Sequence, residues 1–571
     1  MTACLLASAQ VYADEGHRHY FPGHHGADDF AGADIARGVV YLDKNGNGVR
    51  DRHEPGIKGV SVSNGLDVVR TNRRGEYSIS LPEENILFIR KPAQFDVPLD
   101  ENNLPQFYYI HYPEGTPAVA EWKYEVIDPT GPLPERIDFA LLPSKATHHA
   151  AASGKFRAMG FADPQAKTQE EQDEVREDVV NELVGNPHDA LFGITAGDVV
   201  YDTLSLYDRH NKMFSQIGIP IWNVPGNHDI NFPSPNDKYA TQTYSKHFGP
   251  AYYSYDYGDV HFVALDNMEY AGAGNRFDLS GYRGYVTEDQ LTWLANDLKY
   301  VDKDKLIVIV THIPLVTNAL DGRGERYNLG SNINTANLPE LLQVLMPFEK
   351  IYAIAGHDTS NSWKVEVNHT HGWYGSPWIS HTLAEVRGNG WNKGPRNDET
   401  EVRSATMQDG NPNGYYVMHF DGTKVTPKFI PAGKKGNLDE TMRIVLDPWL
   451  EGTTDLDGNI VAINRGRLVP GTRVVVNLFD GGERDTVKLS LDNGEYIEMQ
   501  NVVRNDPFMV RQHAKYQGTP DAFSSPQPSS HIWEYELPYD LQPGLHKVEV
   551  RSKDEFGQQA QQAFTFEILS E

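Results

Sequence analysis

The stretch that decides the fold is residues 219–229, which read Ile-Pro-Ile-Trp-Asn-Val-Pro-Gly-Asn-His-Asp. The apolar run at its start predicts a buried strand, and Gly226 permits a sharp turn directly after that strand. The polar side chains of Asn227, His228 and Asp229 therefore stand at the end of the strand. Because ligands of open α/β sheets bind just beyond the carboxyl ends of strands, this stretch predicts an α/β domain and one part of its site.

Four other predicted strands between residues 153 and 432 end in side chains that carry an oxygen or an imidazole. These side chains are, in chain order, Asp163 and Gln165, Asp198, His312, and His357. Helical patterns separate the strands, and Thr287 with Gln290 three residues later predicts a capping box at the start of one helix. The alternation predicts a layered α/β domain. Its ligand types suit Mn, Fe, Zn, Ni or Mg, and a carboxylate can bridge two such cations about 3.5–4 Å apart.

The composition of the whole chain excludes several classes of protein. Its 571 residues include 51 Lys and Arg against 79 Asp and Glu. The resulting net charge of −28 repels nucleic-acid backbones and excludes a general DNA or RNA binder. An aromatic content of 11% predicts a globular chain. The one cysteine, Cys4, excludes disulfides and thiolate zinc sites, and no apolar run is long enough to span a membrane.

β-Patterned regions flank the α/β region on both sides. Short alternating runs with Gly and Asn turns predict one β-sandwich domain over residues 36–145 and another over residues 437–571. Residues 14–35 form a His-rich segment that is expected to be flexible. Residues 1–13 are interpreted as a possible signal-peptide remnant, because small apolar residues precede Val-Tyr-Ala and Asp14. The protein is therefore expected to be exported to the periplasm or the extracellular space.

Residues 43–54 have the spacing of a calcium-binding loop. The side chains at the ligand positions are Asp43, Asn45, Asn47, Asp51 and Glu54, with Gly48 at the sharp turn and Val49 offering its carbonyl. Both flanks have the pattern of strands, so no EF-hand helix pair is expected. The simpler interpretation is an Asn-Gly hairpin turn. Extracellular modules bind calcium at about millimolar concentrations, which agrees with export.

The order of the strand-end motifs resembles that of the calcineurin-like metallophosphoesterases: Asp-x-His or Gln, Gly-Asp, Gly-Asn-His-Asp or Glu, a lone His, and Gly-His-x-His. This resemblance covers roughly residues 154–430. Further phrases resemble one bacterial subgroup, in which an N-terminal and a C-terminal β-domain flank the catalytic domain. The phrases are residues 163–165 (Asp-Pro-Gln), 405–410 (Ala-Thr-Met-Gln-Asp-Gly), 413–415 (Asn-Gly-Tyr), 531–534 (His-Ile-Trp-Glu) and 554–557 (Asp-Glu-Phe-Gly).

The resemblance implies a two-sheet sandwich covered by helices and the hydrolysis of small phosphomonoesters or phosphodiesters. It also implies a dinuclear centre of divalent transition metals, Mn, Zn, Ni or Fe, with a bridging hydroxide as the nucleophile. Carried onto this sequence, the implied ligands are Asp198 bridging both metals, Asp163 and Gln165 on metal one, and Asn227, His312 and His357 on metal two. His228 would act as the general acid near the leaving group, oriented by either Asp229 or Asp202.

The last motif departs from the family pattern. It reads Gly-His-Asp-Thr, so Thr359 stands where the family has a second histidine, a ligand of metal one. Metal one is therefore expected to be weak, held differently or lost. The candidate substitutes are Asp358, Tyr201, His369 and His371. Tyr201 lies in a Gly-Asp-x-x-Tyr pattern that also occurs in purple acid phosphatases, where the tyrosine binds ferric iron.

The sequence leaves two other functions open. One is a non-catalytic, calcium-dependent surface or binding protein whose middle site has decayed with Thr359. A decayed site should also lose Asp198 or Asn227, however, and both remain. The other is an iron enzyme like the purple acid phosphatases, in which Tyr201 would bind the iron.

Overall fold

The computed structural model describes residues 34–277, 280–319, 332–387, 394–396, 402–403, 405–433, 440–454 and 463–570. The signal-peptide remnant expected at residues 1–13, and all but the last two residues of the His-rich segment, lie outside this described part. Among the described residues, no helix is both long enough and apolar enough to cross a membrane.

Eight strands precede the α/β region and form two four-stranded sheets. They are β1 Asp34–Leu42, β2 Ser61–Ser63, β3 Val68–Arg70, β4 Glu76–Leu81, β5 Asn85–Ile89, β6 Phe95–Asp96, β7 Tyr108–His111 and β8 Phe139–Pro143. The sheets have the orders β4-β1-β8-β6 and β3-β2-β5-β7. In β4 the side chains of Tyr77, Ile79 and Leu81 are buried and alternate with more exposed ones, as expected for a strand with one face on a core.

The α/β region is a sandwich of two mixed sheets. Its strands are β9 Lys155–Phe161, β10 Phe192–Thr195, β11 Ile221–Asn223, β12 Tyr253–Tyr257, β13 Val260–Ala264, β14 Met268–Tyr270, β15 Tyr282–Gly284, β16 Leu306–Val310, β17 Ile351–Ala355, β18 Trp363–Val367, β19 Trp378–Thr382, β20 Gly414–Asp421 and β21 Lys424–Pro431. One sheet has the order β11-β10-β9-β20-β21 and the other the order β12-β13-β16-β17-β19-β18, while β14 and β15 pair separately.

Helices connect these strands. They are α1 Lys145–Ser153, α2 Gln169–Val175, α3 Asn181–Leu183, α4 Tyr207–Phe214, α5 Gln242–Phe248, α6 Glu288–Leu298 and α7 Leu338–Leu345, with a π-helix at Arg176–Val180 and short 3-10 turns at Leu204–Leu206, Ser215–Ile217, Asp237–Tyr239 and His369–His371. Helix α6 begins after Thr287, as predicted, and the Thr287 hydroxyl accepts a hydrogen bond from the Gln290 backbone at 3.4 Å. The Gln290 side chain, however, bonds to the backbone of Asp266 instead of closing the predicted capping box.

Aromatic side chains fill the space between the two sheets of the α/β region. The ring of Phe192 on β10 lies 5.8 Å from that of Tyr255 and 5.3 Å from that of Phe262, both in the other sheet. Phe156 on β9 lies 6.0 Å from Tyr257 on β12 in the same way. Since tilted and edge-to-face ring pairs are favourable and bury large apolar areas, this layer holds the two sheets together.

Nine further strands form a C-terminal β region. They are β22 Met442–Asp447, β23 Arg465–Gly466, β24 Arg473–Leu478, β25 Thr486–Leu491, β26 Ile497–Glu498, β27 Gln500–Asn505, β28 Pro528–Glu536, β29 Gly544–Lys553 and β30 Gln559–Ile568, with helix α8 Pro507–Tyr516 before β28. Two sheets, β22-β24-β28-β27 and β23-β30-β29-β25-β26, bury a core around Trp533, Val476 and Val548. The predicted fold class, an α/β two-sheet sandwich between two β-sandwich regions, is thereby confirmed.

Both β regions pack tightly against the α/β region. On the N-terminal side, Phe107 packs against Trp222, with ring centroids 5.1 Å apart, and the Arg90 guanidinium pairs with the buried Asp297 carboxylate at 3.1 Å. On the C-terminal side, the buried Asp480 carboxylate accepts a hydrogen bond from His381 at 2.9 Å. The three regions therefore meet through apolar contacts and buried polar pairs, a degree of integration that the sequence did not predict.

Candidate metal centre

The predicted ligands follow strands that are neighbours in the two sheets. Asp163 and Gln165 follow β9, Asp198 follows β10 and Asn227 follows β11, and these three strands pair in parallel. His312 follows β16 and His357 follows β17, which are parallel neighbours in the other sheet. Three turns that follow strands of one sheet carry carboxylate or carboxamide side chains, and two turns of the other sheet carry imidazoles. All five turns meet at a single buried centre.

Several of these turns have a backbone conformation that residues other than glycine rarely adopt. Asp163, Gln165, Asp198 and His357 have φ angles of 49°, 48°, 49° and 73°. Each such residue costs on the order of 1–3 kcal/mol, so it persists only where the surroundings hold it. In this centre the strained backbone turns each of these side chains inward. Backbone strain of this kind is typical of functional sites.

The glycines of the motifs serve a different purpose from the one the sequence suggested. From the sequence, the glycines before Asp198, Asn227 and His357 are expected to permit sharp turns, and a left-handed backbone is one way in which glycine does so. Gly197 has a φ of 81° and fits that expectation, but Gly226 and Gly356 do not have a positive φ. A Cβ atom at Gly226 would overlap the Asp198 carboxylate, and one at Gly356 would overlap the Asp163 carboxylate. These two glycines are needed because the ligand side chains pass directly over their backbone.

Four donor atoms converge on the predicted position of metal two. His312 Nε2 lies 3.0 Å from Asn227 Oδ1 and 3.3 Å from Asp198 Oδ1. It also lies 3.1 Å from His357 Nδ1. Two oxygens and two imidazole nitrogens this close together form the donor set that a divalent transition metal prefers.

The backbone fixes which nitrogen of each imidazole faces the centre. His312 Nδ1 lies 2.9 Å from the Ala196 carbonyl, and His357 Nε2 lies 2.7 Å from the Asn332 carbonyl. A carbonyl oxygen can only accept a hydrogen bond, so both of these outer nitrogens carry the proton. The inner nitrogens of two neutral imidazoles therefore direct lone pairs at each other, an arrangement that needs a cation or a proton between them. Outer contacts of this kind also orient histidine ligands of metals.

The pKa shifts at the centre are those of buried titratable groups that interact strongly with one another. Burial alone would lower the pKa of His312, but the Asp198 and Asp163 carboxylates and the Ala196 carbonyl together outweigh burial and raise it to about 9. Burial, and then the His312 imidazole, lower the pKa of His357 to about 3. Burial raises the pKa of Asp163 well above its usual value, and Asp198 adds to the rise. A bound divalent cation would allow both carboxylates to ionise and both imidazoles to stay neutral.

The predicted position of metal one has weaker donors. Gln165 Nε2 lies 2.5 Å from Asp198 Oδ2, while Gln165 Oε1 is buried and has no hydrogen-bond partner among the described residues. Rotation of the Gln165 side-chain amide by 180° would turn its oxygen toward Asp198. The amide fills the same space in both orientations. Acidic or imidazole atoms of Asp163, Asp198 and His312 all lie within 4.8 Å of one another. Asp163, Asp198 and His312 can together hold a cation. On the Gln165 side of the centre, however, the predicted ligands of metal one include no imidazole.

Three of the candidate substitutes for the missing histidine are turned away or distant. Asp358 Oδ2 accepts a hydrogen bond from Trp363 Nε1 at 2.7 Å, and its other oxygen accepts backbone N–H groups of its own turn. His369 and His371 follow β18, which runs antiparallel to β19. The site lies at the carboxyl ends of β16 and β17, which run parallel to the neighbouring β19, so β18 ends at the opposite edge of the sheet. That edge is about 13 Å away, at roughly 3.3 Å per residue.

His228 stands beside the metal ligands and is held by Asp202. His228 Nδ1 lies 2.7 Å from Asp202 Oδ1, and His228 Nε2 lies 4.0 Å from Asp198 Oδ2. Asp229 is instead buried, and its carboxylate accepts hydrogen bonds from the backbone of Val199 and Gly226. The alternative that the sequence left open is therefore decided: Asp202 orients His228, and Asp229 holds two loops together.

The candidate iron ligand Tyr201 packs flat on His228. The two ring centroids are 3.9 Å apart, with 21° between the ring planes. Lys167 Nζ and the Arg387 guanidinium lie over the Tyr201 ring, at 4.8 and 5.6 Å from its centroid. Tyr201 therefore forms a wall beside the imidazole, with two cationic side chains near one side of its ring and the Asp202 and Asp198 carboxylates also close enough to help burial raise the Tyr201 pKa.

Sequence reasoning missed two buried charged residues, Glu385 and Arg387. The backbone N–H of Val386 between them donates to the Ala162 carbonyl at 2.8 Å, which places this segment beside Asp163. Glu385 and Arg387 are 1% and 4% exposed, and the Glu385 carboxylate contributes to the raised pKa of Asp163. No local pattern marks them, because the contact joins segments more than 200 residues apart in the chain.

The predicted calcium loop closes on itself between strands. The buried Asp43 carboxylate accepts hydrogen bonds from the Gly46 and Gly48 backbone at 2.7 and 2.8 Å. The Glu54 carboxylate accepts from the Lys44 and Asp51 backbone, and Asn45 and Asn47 both donate to the Asp51 carboxylate. The backbone carbonyl of Val49 carries no contact in this loop. Such closure is shared by calcium loops and by Asn-Gly turns, so calcium binding stays a prediction.

Comparisons with known proteins agree with this geometry. The sequence model of the calcineurin-like phosphoesterases matches residues 156–361. Models of the N terminal and the C terminal of calcineurin-like phosphoesterase match residues 44–126 and 381–559. A purple acid phosphatase from yellow lupin (Lupinus luteus) seeds aligns at 14% identity and a TM-score of 0.34, over 66% of this chain and 67% of that chain. No curated protein matches the sequence. With its catalytic, N-terminal and C-terminal parts all matched, the chain belongs to the calcineurin-like phosphoesterases.

Proposed function

We propose that this protein hydrolyses a small phosphate ester, a monoester or a diester, at a dinuclear centre of divalent transition metals. The observation that carries the proposal is the convergence of Asp198, Asn227, His312 and His357 on one point, beside the His228–Asp202 pair. Mn, Zn, Ni and Fe all suit this donor set. When bound, the two cations would activate a water as the hydroxide nucleophile and neutralise the phosphoryl oxygens.

The residues of the chain then have distinct tasks. Asp198 offers its two carboxylate oxygens to opposite sides of the centre, Oδ1 toward His312 and Oδ2 toward Gln165. His228 directs Nε2 toward the centre while Asp202 accepts the proton of Nδ1, so Nε2 is free to donate a proton to a departing alkoxide. The carboxylate of Asp202 also stabilises the protonated imidazole that such a donation requires.

Two observations weigh on the alternatives. All four donors expected at metal two are present and converge, which favours an enzyme over a decayed binding module. The Tyr201 ring lies flat on His228, and this contact supports a role in shaping the cleft more than the tyrosinate–iron bond of a purple acid phosphatase.

The bridging role of Asp198 can be tested with Asp198→Asn. A neutral amide bridges two cations poorly, so kcat/KM for an aryl phosphate with added Mn, Zn, Ni or Fe should fall by on the order of 100-fold or more. The matched control is Asp421→Asn, at an exposed surface ion pair with Lys155, which should leave turnover unchanged. Wild-type turnover in Asp198→Asn, with the melting temperature preserved, would contradict the two-metal mechanism.

His228 is expected to act as a general acid and not as a metal ligand. His228→Ala should retain its metals but lose on the order of 100-fold in kcat on an alkyl phosphate ester, which has a poor leaving group. A nitrophenyl ester, whose leaving group needs little protonation, should be affected far less. His419→Ala, at an exposed position of β20, serves as the control. Equal losses on both esters, or loss of metal, would count against this role.

Metal one is expected to bind more weakly than metal two. Its own ligands are Asp163 and the neutral Gln165, whereas metal two has two imidazoles, so activity should keep rising with added metal after the first equivalent is bound. Thr359→His should shift that rise to lower metal concentration and raise the metal content measured by mass spectrometry after dialysis. Thr519→His, in an exposed turn, controls for the added imidazole. Two tightly held metals in the native protein, with no gain from Thr359→His, would mean that a substitute ligand exists.

Calcium binding at residues 43–54 is proposed from the sequence spacing, and export to the periplasm or extracellular space is proposed with it. Calcium should raise the melting temperature of the full chain, since a ligand of the folded state stabilises it by RT ln(1 + [L]/Kd). Glu54→Gln should remove the calcium-dependent part of this shift. Glu76→Gln, which changes an exposed glutamate of the same β region, should keep it. Identical calcium responses in the two variants would leave the loop as a turn only.

A further inference from the structure

A segment of the N-terminal β region reaches into the catalytic site. Residues 112–131, here called the bridging segment, join β7 to β8 and run along helix α5 of the α/β region. The Thr116 hydroxyl donates to the Gln242 side chain at 2.7 Å. The Lys246 ammonium pairs with both Glu125 and Asp128 at 3.0 Å. These contacts hold the bridging segment against the catalytic region along its length.

The bridging segment contacts Asp202 and the residue Asn231, close after His228, through Tyr124 and its neighbour Lys123. The Tyr124 hydroxyl donates a hydrogen bond to the backbone carbonyl of Asp202. On the other side, Asn231, which follows the turn that carries His228, donates to the Tyr124 carbonyl at 3.3 Å and accepts from the Lys123 backbone at 3.3 Å. The Asn231 side chain itself is fully buried. One short piece of chain therefore fixes two loops relative to each other.

Asp202 needs such an anchor. Its φ of 55° is in the left-handed region, which a residue other than glycine leaves unless its surroundings hold it. Its backbone N–H donates to the His228 carbonyl at 3.1 Å, and its carboxylate faces His228 Nδ1 at 2.7 Å. The Asp202 side chain is 33% exposed, so water competes for the carboxylate. The Tyr124 bond to the Asp202 carbonyl adds a second tie between the Asp202 backbone and a segment outside its own loop, beside the bond to the His228 carbonyl.

We propose that the bridging segment is a working part of the catalytic site, in which Tyr124 is a positioning residue that holds Asp202 against His228. The inference rests on the proposed role of His228 as the general acid. Loss of the Tyr124 hydroxyl would let the Asp202 backbone relax, and the imidazole would lose part of its fixed orientation. A small misplacement of a catalytic group can cost on the order of 100-fold in rate. The N-terminal β region would thus serve catalysis in addition to covering the core.

The experiment compares Tyr124→Phe with Tyr252→Phe in the full-length, metal-loaded protein. Tyr252 offers a matched control, because its hydroxyl also donates to a backbone carbonyl across the same two regions, that of Gly65, at 2.8 Å. For each protein we would measure kcat on an alkyl phosphate ester and on a nitrophenyl ester, the metal content and the melting temperature. We expect Tyr124→Phe to lower kcat on the alkyl ester about 10-fold, with the nitrophenyl ester within about twofold and the metal content unchanged. Tyr252→Phe should change both esters equally or not at all.

Other outcomes separate this inference from the proposed function. If the wild type shows no metal-dependent hydrolysis, the proposed function fails, and the role of Tyr124 fails with it. If the wild type is active and His228→Ala discriminates between the esters, but Tyr124→Phe lowers both equally or neither, the positioning role alone is wrong. If Tyr252→Phe discriminates between the esters as strongly as Tyr124→Phe, the effect comes from the interface in general and the inference is overturned.

Discussion

The structure depends on one electrostatic constraint: two carboxylates, Asp163 and Asp198, are buried side by side within a few ångströms of His312. A buried charge without a partner costs several kcal/mol, and two like charges add to that cost. The imidazoles and several backbone N–H groups offset part of this free-energy cost. One of these groups is the N–H of His357, which donates to Asp163 at 3.0 Å. A proton or a cation must offset the remainder, so the interior is arranged around charges that these side chains alone do not balance.

The rest of the fold keeps those charges dry and in place. The turns that present them have strained backbones, and strain of this kind persists only in a rigid frame. The aromatic layer between the two sheets supplies that frame, because it packs β9 and β10 of one sheet against β12 and β13 of the other. The flanking β regions extend the same frame: Phe107 packs on Trp222 of β11, whose strand leads directly into the turn that carries Asn227 and His228. Precise placement of the ligands is therefore a property of all three regions.

The sequence predicted the parts of the site that follow a local rule. Each ligand stands just after a strand, and strands have a readable apolar pattern, so the convergence of Asp198, Asn227 and His312 could be anticipated. The choice of Asp202 over Asp229 as the residue that orients His228 could not be anticipated. Either aspartate could lie near His228, and only the structure shows that Asp229 binds the backbone of Val199 instead. The positions of Glu385 and Tyr124 beside the site could not be predicted from the sequence, for a related reason. They reach the site through pairing between segments far apart in the chain, and no pattern of neighbouring residues encodes such pairing.

The same physical picture explains why the two halves of the centre can differ without harm to the fold. The metal-two half has two imidazoles held in fixed orientations by the Ala196 and Asn332 carbonyls, so its donors are organised before any cation arrives. The half beside Gln165 has a neutral amide, and the buried Glu385 and Arg387 nearby carry opposite charges whose effects on a cation oppose each other. A cation bound beside Gln165 would be stabilised less by ligands from the protein and more by other ligands, including the phosphoryl oxygens of a substrate. In a centre built this way, the occupancy of metal one would depend on the substrate, while metal two would belong to the protein.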